Sequence, residues 1–121
     1  MATYAWTIDK LYTKDITEGG STYTDVILRV KATLTATSET IGSLIRIHIA
    51  DMDMNVSNVS NSFTAYGSVT EANLKSWVET RIGSVTLTEI KTSLENQLEY
   101  LENINDSTAK EDADGNSTFP W

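Results

Sequence analysis

Hydrophobic residues recur at every second position through the first half of the chain, the period of a strand with one wet face. Tyr4, Trp6 and Ile8 share one side of a first strand, and Thr3, Ala5, Thr7 and Asp9 take the other. Leu11 lies beyond that strand, at the sheet edge. Glu18-Gly19-Gly20-Ser21 reads as a turn, because consecutive glycines accept positive φ without steric cost. A long strand follows, with Val26, Leu28, Val30, Ala32 and Leu34 pointing one way and Asp25, Arg29, Lys31, Thr33 and Thr35 the other. That alternation predicts a half-buried antiparallel strand. Residues 37–40 connect it to a third strand whose Ser43, Ile45, Ile47 and Ile49 are expected inward and whose Leu44, Arg46 and His48 are expected outward. A polar loop over residues 51–61 leads to a predicted fourth strand, residues 62–69. This strand carries Phe63, Ala65, Gly67 and Val69 on one face and Tyr66 on the other.

After Val69 the period lengthens to about 3.6 residues. Thr70 is placed to cap a helix whose Leu74, Trp77, Val78, Arg81 and Ile82 fall on one side, with Gly83 as its stop. Thr86-Leu87-Thr88-Glu89 fits a capping box, in which hydroxyl and carboxylate satisfy each other's free amides. It predicts the start of a second helix with Leu87, Ile90, Leu94, Leu98 and Leu101 as its apolar stripe. Strands followed by helices indicate an α+β fold of about four antiparallel β-strands, with a two-helix hairpin packed on one sheet face. The expected division is a single domain over residues 1–103 and an extended acidic C-terminal tail over residues 104–121.

Charge sharpens this division. Seven acidic residues from Glu95 onward against Lys110 account for −6 of the net charge of −8. The strand-rich half is nearly neutral. Nucleic acid is not an expected partner, since phosphate neutralisation needs clustered Lys and Arg. The most apolar stretch, residues 41–50, is interrupted by Arg46 and His48 and is too short to span a bilayer, so no membrane association is expected. The start of the chain has no signal-peptide pattern.

No complete catalytic constellation emerges. Cysteine is absent, which removes thiolate metal sites and thiol nucleophiles. A single histidine, His48, lies between two isoleucines on a strand and reads as structural. Asp51, Asp53 and Asn55 have the alternate spacing that opens a calcium loop, but Val56 stands where that loop needs glycine and Ser62 where it needs a bidentate glutamate. The sequence therefore predicts no enzyme activity, no cofactor and no metal.

The tail breaks its own pattern at the end. From residue 103 to 117 it is polar and acidic, a composition that buries too little to order itself. Asp112-Ala113-Asp114-Gly115-Asn116 favours a tight turn that reverses it. Phe119-Pro120-Trp121 then supplies two aromatics around a proline that restricts the backbone. These three residues are the candidate interaction site, a plug for a groove on this domain or on a neighbouring subunit.

Several segments in order resemble a family of small, largely uncharacterised tailed-bacteriophage proteins, cyanophage-like and virion-associated. The carrying residues are Tyr4-Ala5-Trp6-Thr7-Ile8, the alternating strand over residues 26–36, and Tyr66-Gly67-Ser68-Val69. The run from Thr70-Glu71 through Leu74 to Trp77-Val78, its close at Ile82-Gly83 and the final Pro120-Trp121 complete the set. Family tails are usually proline-rich, whereas this one is acidic with a single proline. The resemblance implies a place in the virion and brings no catalytic residues. The expected function is a structural, capsid-associated decoration or minor virion protein that is assembled in the host bacterial cytoplasm. Expected partners are other virion proteins (capsid, neck or tail subunits), bound in multiple copies or as a homo-oligomer. A neck or tail component, such as an adaptor or fibre-base protein, and a host-directed inhibitor outside the virion are the alternatives.

Overall fold

A computed structural model describes residues 2–54 and 64–121. Three strands, β1 (Ala2–Glu18), β2 (Ser21–Ser38) and β3 (Ile45–Asp53), form an antiparallel sheet in the order β1-β2-β3. Two helices follow, α1 (Glu71–Ile82) and α2 (Ser84–Asn105), so the fold is α+β.

The β1–β2 hairpin closes through Gly19 and Gly20, at φ of 61° and 81°, between the paired Glu18 and Ser21. Two successive positive φ values match the right-handed twist of the flanking strands. The first strand runs on past Leu11 because a bulge at Asp9 changes its phase: Ile8 pairs with Ala32, but Lys10 pairs with Lys31 and Leu11 with Val30. Leu11 therefore returns to the core side and packs there, where unbroken alternation would have turned it out. A second irregularity, opposite Tyr12 and Thr13, brings Ile27 rather than Leu28 against the core. Beyond Arg29 the third strand stops, and the hairpin continues as a two-stranded ribbon.

One sheet face is covered. Val30, Ala32, Leu34 and Ala36 of β2 are almost wholly inaccessible. Leu74 and Val78 of α1 pack against Val30, Ala32 and Ala50, with Trp6, Ile8, Leu11 and Trp77 around them. Leu94 and Leu98 of α2 pack against Leu34 and Ala36, with Tyr4, Leu87 and Ile90 around them. Alternating small and large residues along β2 lets a helix approach each half closely. Hydrogen bonds fix the docking. Trp6 Nε1 donates to Glu79 (3.0 Å), Tyr4 Oη to the Lys91 carbonyl (3.3 Å) and Arg81 Nε to the Asp53 carbonyl (3.0 Å).

The helix boundaries follow local chemistry. Thr70 caps α1 by accepting from the Asn73 amide while Asn73 Oδ1 accepts from the Thr70 amide. Gly83, at φ 87°, is the single residue between the helices. The second helix thus starts at Ser84, and the predicted capping box at Thr86 does not form. Gly83 already turns the chain, the Leu87 amide bonds its carbonyl, and Thr88 donates back to the Ser84 carbonyl (2.9 Å).

Two further expectations are corrected. In place of a strand, residues 66–68 form a 3-10 turn, with the Val69 amide donating to the Tyr66 carbonyl; Ser62 and Phe63 lie outside the described residues. The third strand is inverted relative to the sequence reading. Its pairing sets Leu34 against His48 and Ala36 against Arg46, so Ile45, Ile47 and Ile49 face away from the helices. The connection before it imposes this register. The Ser38 amide bonds the Leu44 carbonyl, the Leu44 amide bonds the Ile41 carbonyl, and Ser38 Oγ accepts from the Ile41 amide. A one-residue slip would be needed to turn the isoleucines inward.

Two predictions follow from this packing. Leu98→Ala should destabilise the domain by about 2–5 kcal/mol in urea unfolding, the cost of a cavity in a site only 2% exposed. A loss under about 1 kcal/mol would remove α2 from the core. Burial, assisted by the Glu95 carboxylate, pushes the Tyr4 phenol up to about 12. The folded state then favours the neutral phenol, so the stabilisation is complete below pH 10 and is lost as pH rises from 10 to 12. Tyr4→Phe should flatten that part of the stability curve, and an unchanged alkaline slope would refute the assignment.

Candidate interaction surface

The inverted third strand creates the most distinctive surface of the molecule. On the face away from the helices, direct cross-strand partners form three rows: Thr3–Thr37–Ile45, Ala5–Thr35–Ile47 and Thr7–Thr33–Ile49. All nine side chains are uncharged and all but Ala5 are β-branched, which gives a stiff surface with little rotamer entropy to lose on contact. Ile45, Ile47 and Ile49 are 48%, 51% and 54% exposed. Adjacent isoleucines on an open strand form a contiguous apolar stripe, unlike the isolated exposed side chains normal for any surface.

Charge borders this block at one end. Lys10 and Lys31 are direct register partners there, beside the Asp9 carboxylate that accepts from Thr33 Oγ1 (2.6 Å). Neither lysine makes an ion pair among the described residues; Lys10 lies over the Tyr12 ring at 5.7 Å. Asp51 adjoins Lys31 in the register, but Arg29 Nε holds Asp51 at 3.1 Å and Asp53 at 3.2 Å. That contact locates the calcium-loop aspartates in a surface ion-pair cluster, while Asn55 lies outside the described residues. On the covered face, at the opposite end of the sheet, Ser38 and Thr40 donate to Glu102, and these hydroxyls hold its carboxyl below the usual range. His48 is half-buried on the covered face, opposite Leu34. Among the described residues no three His, Cys, Asp or Glu side chains converge on a metal-sized site, and no helix is long and apolar enough to cross a membrane.

Beyond α2, residues 106–121 are exposed throughout. They contain the expected turn. Asp112 Oδ1 accepts from the amides of Asp114 (2.9 Å) and Asn116 (3.0 Å), contacts that hold its carboxyl below the usual range. Gly115 sits at φ 84°, and Glu111 bridges to Ser117. Past this turn Phe119 and Trp121 stack on each other, centroids 5.1 Å apart, and are 63% and 92% exposed. The three predicted interaction residues are thus displayed together and exposed. The isoleucine face was missed as a site because its periodicity had assigned it to the core.

Exposure of the stripe has a direct test. Ile47→Glu should change the unfolding free energy by less than about 1 kcal/mol, as surface substitutions do. A loss near that expected for Leu98→Ala would place Ile47 in a core instead.

No curated protein and no solved structure matches the chain. Residues 1–113 match the family described as a domain of unknown function (DUF7936), a span that includes the sheet and both helices and stops before Phe119. The chain belongs to that family.

Proposed function

We propose that the protein is a non-catalytic structural component of a tailed-phage virion, a capsid-associated decoration or minor virion protein that binds repeated subunits in many copies. The observation that carries the assembly role is the uncharged three-row face with its exposed isoleucine stripe. A small acidic chain that leaves such a face open presents a broad uncharged contact area. The two-stranded ribbon supports the same reading. Among the described residues it extends beyond the last paired residue of the third strand, and an isolated hairpin is only marginally stable in water. The exposed aromatic pair after the tail turn adds a second apolar element. The virion setting comes from the resemblance of the segments around Trp6, Tyr66 and Trp77 to phage proteins.

Quantitative mass spectrometry of purified particles tests the proposal. The protein should copurify with particles in tens of copies or more. Recovery from infected-cell extract with absence from particles would refute the virion role in favour of a host-directed protein. A handful of copies confined to neck or tail fractions would refute capsid decoration.

A further inference from the structure

The sheet has two edges, and only one of them is blunted. The outer strand β1 breaks register near Asp9, Tyr12 and Asp15 and carries Lys10 and Lys14, devices that keep an edge from pairing with another chain. The other edge, β3, pairs with β2 in unbroken register from Ile45 to Asp53 and contains neither proline nor lysine. The Met54 amide bonds the Leu28 carbonyl and the Ser38 amide the Leu44 carbonyl, so even-numbered residues turn their backbone groups toward β2. Ile45, Ile47 and Ile49 therefore direct theirs outward, where no strand meets them among the described residues.

The helix above this edge matches it. On its β1 side α2 presents charge, with Lys91 and Glu95 beside Tyr4. On its β3 side Ser93, Asn96, Gln97 and Tyr100 line an open groove of about 670 Å³, together with Arg46 and Glu89. Charge is sparse there and tyrosine present, as at the centre of protein interfaces. Hydroxyls and amides both donate and accept, so such a flank can meet a copy of itself.

Position selects a second copy as the occupant. In a two-fold pairing the two β3 strands run antiparallel, and an axis through Ile47 opposes isoleucine to isoleucine throughout, Ile45 to Ile49 and Ile47 to itself. Arg46 then meets the neutral imidazole of the second copy's His48, an acceptor for the guanidinium. The same axis suits the helix. Glu102 binds Ser38, opposite Leu44, and Glu89 lies about 20 Å earlier along α2, or about six strand residues, hence above residue 50. Within one copy Glu89 is about 13 Å along the strand from Arg46; the second copy's Glu89 comes within about 7 Å, a span the arginine side chain covers. The acidic tails go to opposite ends of the pair.

Area agrees. One sheet and one helix layer make this side about 20 Å deep, and β3 makes it about 30 Å long, so each copy contributes roughly 600 Å². The axis lies midway between Ile41 and Asp53, so the two sides overlap fully. Two copies together reach about 1,200 Å², the lower bound of specific stable interfaces.

We infer that two copies join through their β3 edges about a two-fold axis at Ile47, forming a continuous six-stranded sheet with the α2 helices side by side over it. The isoleucines of both copies then form one stripe on the far face. This deepens the reading of the protein as an assembly module and rests on it, but not on its virion setting.

Sedimentation equilibrium of the full chain tests it. Wild-type protein should pass from monomer to dimer mass between about 10 μM and about 1 mM, the range of a small interface. Ile47→Glu and Ile47→Lys each set like charges together at the axis and should stay monomeric. Their equimolar mixture should dimerise, because residue 47 then meets its opposite charge. Arg46→Glu should weaken association about tenfold, and adding Glu89→Arg should restore it. Phe119→Ser with Trp121→Ser should dimerise like the wild type. Amide exchange at Ile45, Ile47 and Ile49 should slow at least about tenfold in the dimer. A wild-type protein that stays monomeric at about 1 mM overturns the inference, as does a mixture that fails to pair. Association lost in the aromatic variant would assign it to the tail, and a dimer with unprotected edge amides would mean that the faces stack; either result overturns the proposal. Failure here with the protein present in particles would leave the virion reading standing; pairing in solution with absence from particles would do the reverse.

Discussion

A three-stranded sheet has two faces, and the helices among the described residues cover one. That shortage governs the molecule. The central strand, β2, contributes to both helix-packed clusters through Val30, Ala32, Leu34 and Ala36. Each helix occupies its own half of the covered face, joined to the other by Gly83 alone. Nothing in the sequence between Ser84 and Asn105 could also screen the far side, so whatever β3 presents there is surface.

The choice of which β3 side becomes surface is made by the connection before it. Ser38, Ile41 and Leu44 close a hydrogen-bonded turn that fixes the pairing of Thr37 with Ile45. Once that pair is set, parity does the rest, and the three isoleucines lie beside threonines. Hydrophobicity would have favoured the opposite phase; covering the free face in that way, however, would require breaking the turn and moving every β3 residue by one. Local polar chemistry thus overrides apolar pattern along the whole of β3.

Much of the architecture was legible where one signal dominated. The alternation along β2, the Thr70 cap, the Gly83 stop and the Leu94–Leu98 spacing each point to a single local structure, and each is found. Reading failed where two signals competed. The capping-box pattern at Thr86 lost to a glycine three residues earlier that had already begun the helix. Leu11 looked misplaced because the extra residue at Asp9 is invisible to a strict two-residue period. The aromatic segment stood out as a candidate because three apolar residues interrupt an acidic tail. The isoleucine face was not, because exposed and buried β-branched stripes have the same sequence signature.

The bulge at Asp9 also bears on how chain length can vary. Ile8 and Leu11 both belong to the covered face although three positions separate them. Loss of the intervening Asp9 would leave Ile8, Lys10 and Leu11 in unbroken alternation, opposite Ala32, Lys31 and Val30 as they already are. The cost would be local: the hydrogen bond that Thr33 donates to Asp9 (2.6 Å) and the extra twist of the bulge. A one-residue deletion elsewhere between Tyr4 and Ile8 would instead exchange the two faces for every residue on one side of it. Length changes in the first strand are therefore parity-neutral at Asp9, which makes that position a natural place for relatives to differ in length without rebuilding the core.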